Sequence, residues 1–258
     1  MNPASSQPVD KGLAASIASA CQAWQSGDPC VPCALAAGAD PSGLPQVASR
    51  RVKRRQPLYL EGDPFVSIYA VRTGTFKSAF CTLDAHEQVT GFQVAGEVLG
   101  LDGLGHGRHA TSAIALEDSE VVALPYAVSA QGRPGELQRI LPGLLGRELV
   151  RSQKLAVLLS AMGAEQRLAS FLLNLSRRME TRGYSASQFN LRMTRSEIGS
   201  YLGLKVETVS RAFSAMQRRG MLEVSGRHVW LLDRPALLRL FDTAAARQRA
   251  ALPGVRHG

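Results

Sequence analysis

Residues 193–211 read MTRSEIGSYLGLKVETVSR, and this stretch determines how the C-terminal part of the chain folds. Its Thr194–Glu197 segment has the Ser/Thr-x-x-Glu form of a capping box, in which two side chains satisfy the free amides of a new helix. That helix is predicted to be short, because Gly203 stands where it would close. Two residues then form a tight turn before a second helix over about 206–219. Two helices joined by so short a turn cross steeply, so the stretch predicts a helix-turn-helix.

The second helix has an apolar side and a polar side. The apolar residues follow steps of three, four and three, and they are Val206, Val209, Phe213 and Met216. Glu207, Ser210 and Arg211 share the opposite side at i, i+3 and i+4. In a major groove an Arg can bond guanine, a Glu can accept from cytosine, and a Ser can reach a base edge or a phosphate. The alternative is a surface ion pair between Glu207 and Arg211, which would contribute only ~0.3–0.5 kcal/mol.

A hairpin pattern follows the second helix. Apolar runs at 221–224 and 229–232 flank a turn sequence, and Arg227 and His228 stand where the tip of a wing would contact phosphate. Together with the capping box and the short turn, this hairpin favours base reading over the ion pair. We therefore predict a winged helix-turn-helix that binds double-stranded DNA. The predicted DNA contacts are Glu207, Ser210, Arg211, Lys205, Thr208, Arg195 and Arg227.

The composition fits a protein with a polyanionic partner. The 258 residues predict two domains, and the net charge of +9 favours nucleic acid or an anionic membrane surface as the partner. No run of 18 apolar residues and no secretory pattern occurs, so we expect neither a membrane span nor export. We expect a cytoplasmic protein, whose four cysteines are thiols, metal ligands or redox sensors rather than structural disulfides.

The composition and the pattern of apolar residues change along the chain, and these changes predict its domains. Residues 1–45 are rich in Ala, Gly, Ser and Pro and hold three of the four cysteines. Short β-rich runs split by turn signals fill 46–134 and predict an antiparallel barrel or roll. A helix over 135–163 follows, then a DNA-binding domain over 164–235 and a C-terminal tail over 236–258. The predicted fold class is therefore α+β.

The helix over 135–163 carries two predicted contact faces. Steps of four and three are typical of a helix that meets a partner helix, and the residues of this seam are Leu145, Leu149, Ser152, Ala156 and Leu159. Val150, Val157 and Leu158 lie elsewhere on the helix and predict a second face that packs against the β-rich domain. We therefore favour a dimerisation helix over a single buried core helix.

With these residues in view, the chain resembles the Crp/Fnr family of bacterial transcription regulators, and within it the Fnr-like, oxygen-responsive group. The motifs that carry the resemblance are EQVTGF (87–92), LNLSRR (173–178), MTRSEIGSYLG (193–203) and VETVSR (206–211). The resemblance implies an N-terminal β-roll like a cyclic-nucleotide-binding domain, a long dimerisation helix and a C-terminal winged helix-turn-helix. It also implies a homodimeric activator that works with RNA polymerase and reads a TTGAT-type palindrome through Glu207, Ser210 and Arg211.

Family members that bind cyclic nucleotides carry a Gly-Glu pair and, about ten residues later, Arg-Ser or Arg-Thr. In the matching region, 100–111, this chain has Leu101 and Ala110 at the positions of that Glu and that Arg, and Arg108 is displaced. We therefore do not expect cyclic AMP to bind, although a rearranged loop could still use Arg108.

The resemblance also implies a [4Fe–4S] cluster, which Fnr-like oxygen sensors bind with three N-terminal cysteines and one in the β domain. Thiolates are natural ligands of such clusters, and the chain offers Cys21, Cys30, Cys33 and Cys81. Their spacing departs from that of the group, and the usual fourth position corresponds to Val122. Two alternatives stay open: Cys30 and Cys33 could hold zinc or form a reversible disulfide, and Cys81 could be a small buried hydrophobe.

Three classes of function follow from these observations. The first is a homodimeric regulator whose DNA binding is gated by oxygen or redox state. The second has the same architecture but senses haem, nitric oxide or another small ligand, or needs no effector; His106 and His109 are expected on an exposed loop, where they leave haem ligation open. An enzyme is not expected, because the chain has no nucleophile motif, zinc-type histidine pair or phosphate loop followed by Lys.

Overall fold

The computed structural model describes residues 48–82, 84, 86–126 and 136–241, and the account that follows concerns these residues. The predicted N-terminal segment with Cys21, Cys30 and Cys33 lies outside them, as does the tail beyond residue 241. None of the described helices is both long and apolar enough to cross a membrane.

The first module is a roll made of two antiparallel sheets. Its strands are β1 (Ala48–Val52), β2 (Pro57–Tyr59), β3 (Ser67–Thr73), β4 (Thr75–Cys81), β5 (Glu87–Val94), β6 (Val98–Leu99), β7 (Ser112–Ala115) and β8 (Ser119–Pro125). One sheet has the order β1-β8-β3-β6 and the other β2-β7-β4-β5. Val71, Phe76 and Val121 come from both sheets and are fully buried in one core. The predicted antiparallel roll is therefore confirmed.

A 26-residue helix, α1 (Glu136–Ala161), leaves the roll and packs along it. Leu137 and Leu144 lie in a core with the roll, and Leu158 joins the core of the second module. The predicted second face is only partly right: Leu158 is buried, but Val150 and Val157 are exposed, with 59% of Val157 accessible. The contact face follows the heptad of Leu137, Leu144 and Leu158, whereas Val150 and Val157 lie on another side of the helix.

The predicted seam of α1 lies roughly a quarter turn from this contact face. Leu145, Leu149, Ser152 and Ala156 are exposed, and 60% of Leu149 is accessible, while Leu159 is half-buried. Single chains seldom leave a continuous apolar stripe in contact with water. The stripe is therefore available for a second helix.

The second module is a winged helix-turn-helix, as predicted. Its elements are α2 (Ala164–Glu180), β9 (Gln188–Asn190), α3 (Arg195–Leu202), α4 (Val206–Arg218), β10 (Leu222–Ser225) and β11 (His228–Leu231), followed by a helix over 234–241. The largest of its fully buried side chains are Leu168, Leu172, Leu175, Ile198, Leu202, Met216, Leu222 and Leu237. The wing has one strand more than the predicted hairpin, because β9 pairs with β11 in a sheet of order β10-β11-β9.

A largely buried charge cluster joins the two modules. Glu97, in the turn after β5, pairs with Arg178 of α2 at 2.5 Å and with Arg182 at 2.9 Å. The same arginines donate hydrogen bonds to the backbone carbonyls of Phe92 and Ala95. Burial acts to raise the pKa of Glu97, but the charges of Arg178 and Arg182 outweigh it and hold that pKa at about 2. The ionised carboxylate therefore ties α2 to the roll.

Three aromatic rings form a second contact at this junction. Phe92 of β5, Phe171 of α2 and Tyr201 of α3 pack at steep angles, with ring centroids 5.3 to 5.9 Å apart. Edge-to-face pairs of this kind contribute about 0.5–1.5 kcal/mol beyond the area that they bury. The roll and the helix-turn-helix consequently share one continuous hydrophobic core.

We expect Glu97→Gln to lower the free energy of unfolding at pH 7 by about 3 kcal/mol, since each pKa unit corresponds to about 1.4 kcal/mol. The pKa of Glu97 lies below its ordinary value of 4.5, so the stabilisation is complete above pH 4.5 and is lost as the pH falls towards 2. Urea unfolding at pH 7 and at pH 3 measures it, and the difference from the wild type should shrink at pH 3. Glu223→Gln, at an exposed position of β10, is the control and should change stability little. Equal stability of the Glu97 variant and the wild type at pH 7 would contradict the assignment.

Candidate functional site

The first helix of the motif, α3, starts at the predicted capping box. The Thr194 hydroxyl accepts from the Glu197 amide at 3.1 Å, and the Thr194 amide donates to the Glu197 carboxylate at 2.7 Å. Gly203 ends the helix in the left-handed conformation, with φ of 61°. Both ends of α3 are therefore set by local chemistry that the sequence already shows.

The turn between α3 and α4 depends on the absence of a side chain at Gly199. The Leu204 amide donates to the Gly199 carbonyl at 2.9 Å, and a Cβ on Gly199 would lie 2.5 Å from the Leu204 carbonyl oxygen. Val209 of α4 packs against the same position. A glycine is thus required for the two helices to approach this closely.

The second helix, α4, buries one side and exposes the predicted trio. Val209, Phe213 and Met216 are buried, whereas Val206, predicted on the apolar side, is 41% accessible because it stands in the first turn. Glu207, Ser210 and Arg211 are all exposed. They project from the helix together, on the side away from the core.

No ion pair joins Glu207 to Arg211, and neither side chain has a hydrogen-bond partner among the described residues. The Ser210 hydroxyl donates to the Val206 carbonyl at 3.0 Å. The surface ion pair considered from the sequence is therefore absent. The charged ends of Glu207 and Arg211 are left available to an external partner.

The other predicted contacts surround this face. Lys205, at the start of α4, is exposed, and Thr208 is half-buried. Arg227 is exposed at the tip of the wing, where its guanidinium donates to the Arg192 carbonyl at 3.4 Å. His228, which the sequence places beside it for phosphate contact, lies in β11 instead, with its ring 4.1 Å from that of Trp230. His228 and Trp230 are two residues apart in β11, so their side chains lie on the same face of the strand.

Arg195 occupies an unusual position at the first residue of α3. Its guanidinium lies 3.2 Å above the ring of Phe213, and its Nη1 atom is buried with no hydrogen-bond partner among the described residues. Burial lowers the pKa of Arg195 to about 10, which still leaves it charged at neutral pH. A desolvated cation without a carboxylate is suited to a phosphate oxygen. The sequence predicted this contact but gave no sign of the stacking on Phe213.

The roll contacts the start of the motif through residues that sequence reasoning missed. Lys77 of β4, which is buried, lies 2.9 Å from Glu197 and 2.5 Å from Glu87. The Ser200 hydroxyl donates to the Glu87 carbonyl at 3.1 Å and accepts from the Val89 amide at 2.8 Å. The contacts that cross from the roll to α3 join residues more than 100 positions apart in the chain, so no local pattern could have identified them.

Of the predicted cluster ligands, only Cys81 is among the described residues. Its thiol is exposed at the end of β4, so the interpretation of Cys81 as a small buried hydrophobe is wrong. Val122 is buried in β8. Within the described part of the chain, no group of three or more His, Cys, Asp or Glu side chains could hold a metal ion.

The two loop histidines, expected at an exposed surface, behave differently. His106 is exposed, but His109 is only 3% accessible and stacks on Tyr59 with ring centroids 3.6 Å apart. Burial between aromatic rings gives His109 a packing role in the roll.

Comparison with known proteins gives concordant matches. Residues 49–131 match the description "Cyclic nucleotide-binding domain", and residues 166–240 match "Crp-like helix-turn-helix domain". The chain is 42% identical over 224 residues to the transcriptional regulatory protein btr of Bordetella pertussis, covering 85% of this chain and 92% of that protein. It is 40% identical over 194 residues to the anaerobic regulatory protein of Pasteurella multocida, covering 74% and 71% respectively. The solved structure of FixK2 from Bradyrhizobium japonicum has a TM-score of 0.68 at 31% identity, covering 75% of this chain and 96% of that one.

We expect Gly199→Ala to destabilise the protein by about 1–3 kcal/mol, because the new methyl group overlaps the Leu204 carbonyl and forces α3 and α4 apart. Thermal unfolding followed by circular dichroism measures the loss. Gly105→Ala is a matched control, since its φ is −80° and a Cβ there would meet nothing within 4 Å. The control should unfold at the wild-type temperature or slightly above it. If both variants unfolded together, the close approach at Gly199 would not limit the fold.

Proposed function

Because the chain belongs to the Crp/Fnr family of DNA-binding transcription regulators, which are not enzymes, we propose that it binds a TTGAT-type palindrome as a homodimer and activates transcription in response to oxygen or redox state. The observation that carries the proposal is the exposed face of α4, where Glu207 and Arg211 stand without partners among the described residues. Buried or paired side chains could not reach base edges. This face can.

The proposed contacts divide into base reading and phosphate positioning. Arg211 is suited to bidentate bonding of guanine and Glu207 to accepting from cytosine, while Ser210 can release the Val206 carbonyl to reach a base. Arg195 and Arg227 lie outside the trio and are assigned to phosphates, which fix orientation without carrying sequence information. Lys205 and Thr208, at the start of α4, are assigned to further contacts with the DNA.

The seam of α1 supports the proposed homodimer. Its exposed stripe, which includes Leu145 and Leu149, has the spacing with which two parallel helices pack. A twofold axis along α1 would present two copies of α4 to major grooves about one helical turn apart, which is the geometry that a palindrome requires. RNA polymerase is the proposed partner of the bound dimer, and transcription in vitro from a promoter with this palindrome tests the activation.

We expect Arg211→Ala to cost about 1–3 kcal/mol, or roughly 5- to 150-fold in affinity, on a palindromic TTGAT duplex and little on a duplex with the contacted base changed. Fluorescence anisotropy titrations on both duplexes measure this loss of discrimination. Arg195→Gln is the contrasting variant: as a phosphate contact it should weaken both duplexes alike and reduce the slope of log affinity against log salt by about 1.

The wild type should bind the duplex with two chains per palindrome, which sedimentation of the complex determines. A wild type that bound all duplexes equally would remove the proposed sequence reading. One chain per duplex would remove the dimer.

A [4Fe–4S] cluster held by Cys21, Cys30, Cys33 and Cys81 is the proposed oxygen- or redox-responsive group. The exposed thiol of Cys81 is accessible to a ligand set from another segment, and thiolate donors suit iron–sulfur chemistry. The similarity to a protein named anaerobic regulatory protein supports an oxygen-linked signal. When bound, such a cluster supplies sensitivity to oxidation, and the four cysteines supply its thiolates.

A second candidate is a regulator that senses a small ligand in the roll. A cavity of about 390 Å³ between the roll and α1 favours it, because it reaches from Tyr59 and Asp102 to Leu145 and Leu149 of the seam. A ligand there would contact both the sensor domain and the proposed dimer contact.

We expect protein purified without oxygen to contain iron and sulfide and to show a broad visible absorption that bleaches in air. Cys30→Ser should abolish the absorption, and Cys81→Ser should reduce it if Cys81 is the fourth ligand, with the unaltered chain prepared in parallel as the control. A sharp Soret band would indicate haem in its place, and a colourless zinc protein would indicate a structural metal. Either result would overturn the cluster proposal without affecting DNA reading.

A further inference from the structure

The loop between β6 and β7 contains three hydrogen-bond donors that converge on one oxygen atom. The backbone amides of Ala110 and Thr111 donate to Oδ2 of Asp102 at 2.9 and 2.8 Å, and the Thr111 hydroxyl donates to the same atom at 2.9 Å. Asp102 itself lies in a short 3₁₀ helix, Leu101–Leu104. We call these three donors the cradle. Two successive amides and a hydroxyl aimed at one point are an arrangement that binds oxyanions.

The anion that occupies the cradle is the carboxylate of Asp102, a side chain of the protein itself. A carboxylate oxygen with three donors is saturated at bonding distance, and it occupies the position that an oxygen of a phosphate would take. A free anion could enter only by displacing Asp102, which is held by the backbone on both sides. Because Asp102 is tethered, its effective concentration at the cradle far exceeds that of a dissolved ligand.

The loop around the cradle is ordered by its own contacts. The His109 amide donates to the Asp63 carbonyl and the Gly62 amide to the His109 carbonyl, at 2.9 and 2.8 Å. The buried His109 ring lies against Tyr59 and meets Phe65 edge-on. The cradle is therefore preformed, and the fold needs no external anion to arrange its donors.

The arginine nearest in sequence does not serve the cradle. Arg108 is exposed, and its guanidinium donates to the Gly62 carbonyl at 2.7 Å. The rearranged use of Arg108 considered from the sequence is therefore not what the structure shows. The titratable side chain beside the cradle is His109, whose Nδ1 lies 3.5 Å from the other carboxylate oxygen of Asp102, and the three donors of the cradle are already taken by Asp102.

The cavity next to the cradle is lined by polar and acidic side chains. Its polar lining includes Ser78, Thr90, Gln93 and Ser152, and its charged side chains are Asp102 and Glu148. No Lys, Arg or His from the described parts of the chain lines it. Arg151, one turn along α1, lines a different cleft and pairs with Glu148 at 3.6 Å.

We propose that Asp102 is a built-in occupant of an oxyanion cradle formed by Ala110 and Thr111, and that it closes this site to cyclic nucleotides and other phosphates. A molecule that uses the adjoining cavity in the native chain is then uncharged or cationic, because among the described residues two carboxylates and no cationic side chain line it. The inference stands apart from DNA reading, since it concerns small-anion binding by the roll.

The test is removal of the tethered carboxylate from the full-length chain. Asp102→Ala should bind inorganic phosphate at least about tenfold more tightly than the wild type in isothermal titration, because the three donors are then exposed. Asp102→Asn should stay closed, since the amide oxygen can still accept from the cradle. Asp118→Ala is the matched control: Asp118 also accepts a backbone amide, that of Arg54, but it is exposed and has no cradle.

A second measurement keeps the proposal testable if Asp102→Ala folds poorly. Phosphate, compared with chloride at equal ionic strength, should raise the unfolding temperature of Asp102→Ala and leave the wild type and Asp118→Ala unchanged, because only an open cradle binds the anion. Cyclic AMP should show no binding to the wild type. The proposal is overturned if phosphate or cyclic AMP binds the wild type as tightly as Asp102→Ala, or if phosphate neither binds nor stabilises that variant.

Discussion

The ion cluster around Glu97 is the contact on which the placement of the two modules depends. Arg178 and Arg182 are four residues apart, so α2 and the turn after it present both guanidinium groups to one carboxylate. Removing the Glu97 carboxylate would leave two largely buried guanidinium groups without their counter-ion, which is costly. An adjacent side of α2 carries the core beneath α4, through Leu168, Leu172 and Leu175. The orientation of the recognition helix relative to the roll is therefore fixed through this cluster.

A second contact between the roll and the helix-turn-helix is made by the carboxylate of Glu197, which has two partners. Glu197 closes the capping box of α3 with Thr194, and it also accepts from Lys77 of the roll. Burial acts to raise the pKa of Glu197, but the bonds from the Thr194 amide and from Lys77 lower it, so the carboxylate stays ionised. A displacement of β4 and β5 relative to α3 would break these bonds together with those of Ser200. The first turn of the helix-turn-helix is thus held directly against β4 and β5 of the roll.

The parts of the structure that could be predicted from the sequence are those set by short-range chemistry. The capping box at Thr194, the turn at Gly203 and the alternating faces of α4 all depend on residues within four positions of one another. Strand β9 was missed because three residues, Gln188–Asn190, carry no strand pattern until β11 pairs with them. Val150, Val157 and His109 were misplaced for a related reason, since helix phase and loop burial are decided by distant packing partners. The contacts of Lys77 and Asp102 likewise exist only in the folded chain.

The effect of the net charge of +9 on an external partner depends on where the individual cations lie. Arg178, Arg182 and Lys77 are neutralised by carboxylates at the junction between the modules, so they hold the fold together and contribute little to an external field. Arg211 and Arg195 differ from them, because neither pairs with a carboxylate within the described part of the chain. Arg211 is exposed on the face of α4, and Arg195 lies half-buried on the ring of Phe213. A modest overall excess of cations can therefore leave unpaired cations beside α4, because the cations at the junction are neutralised by its carboxylates.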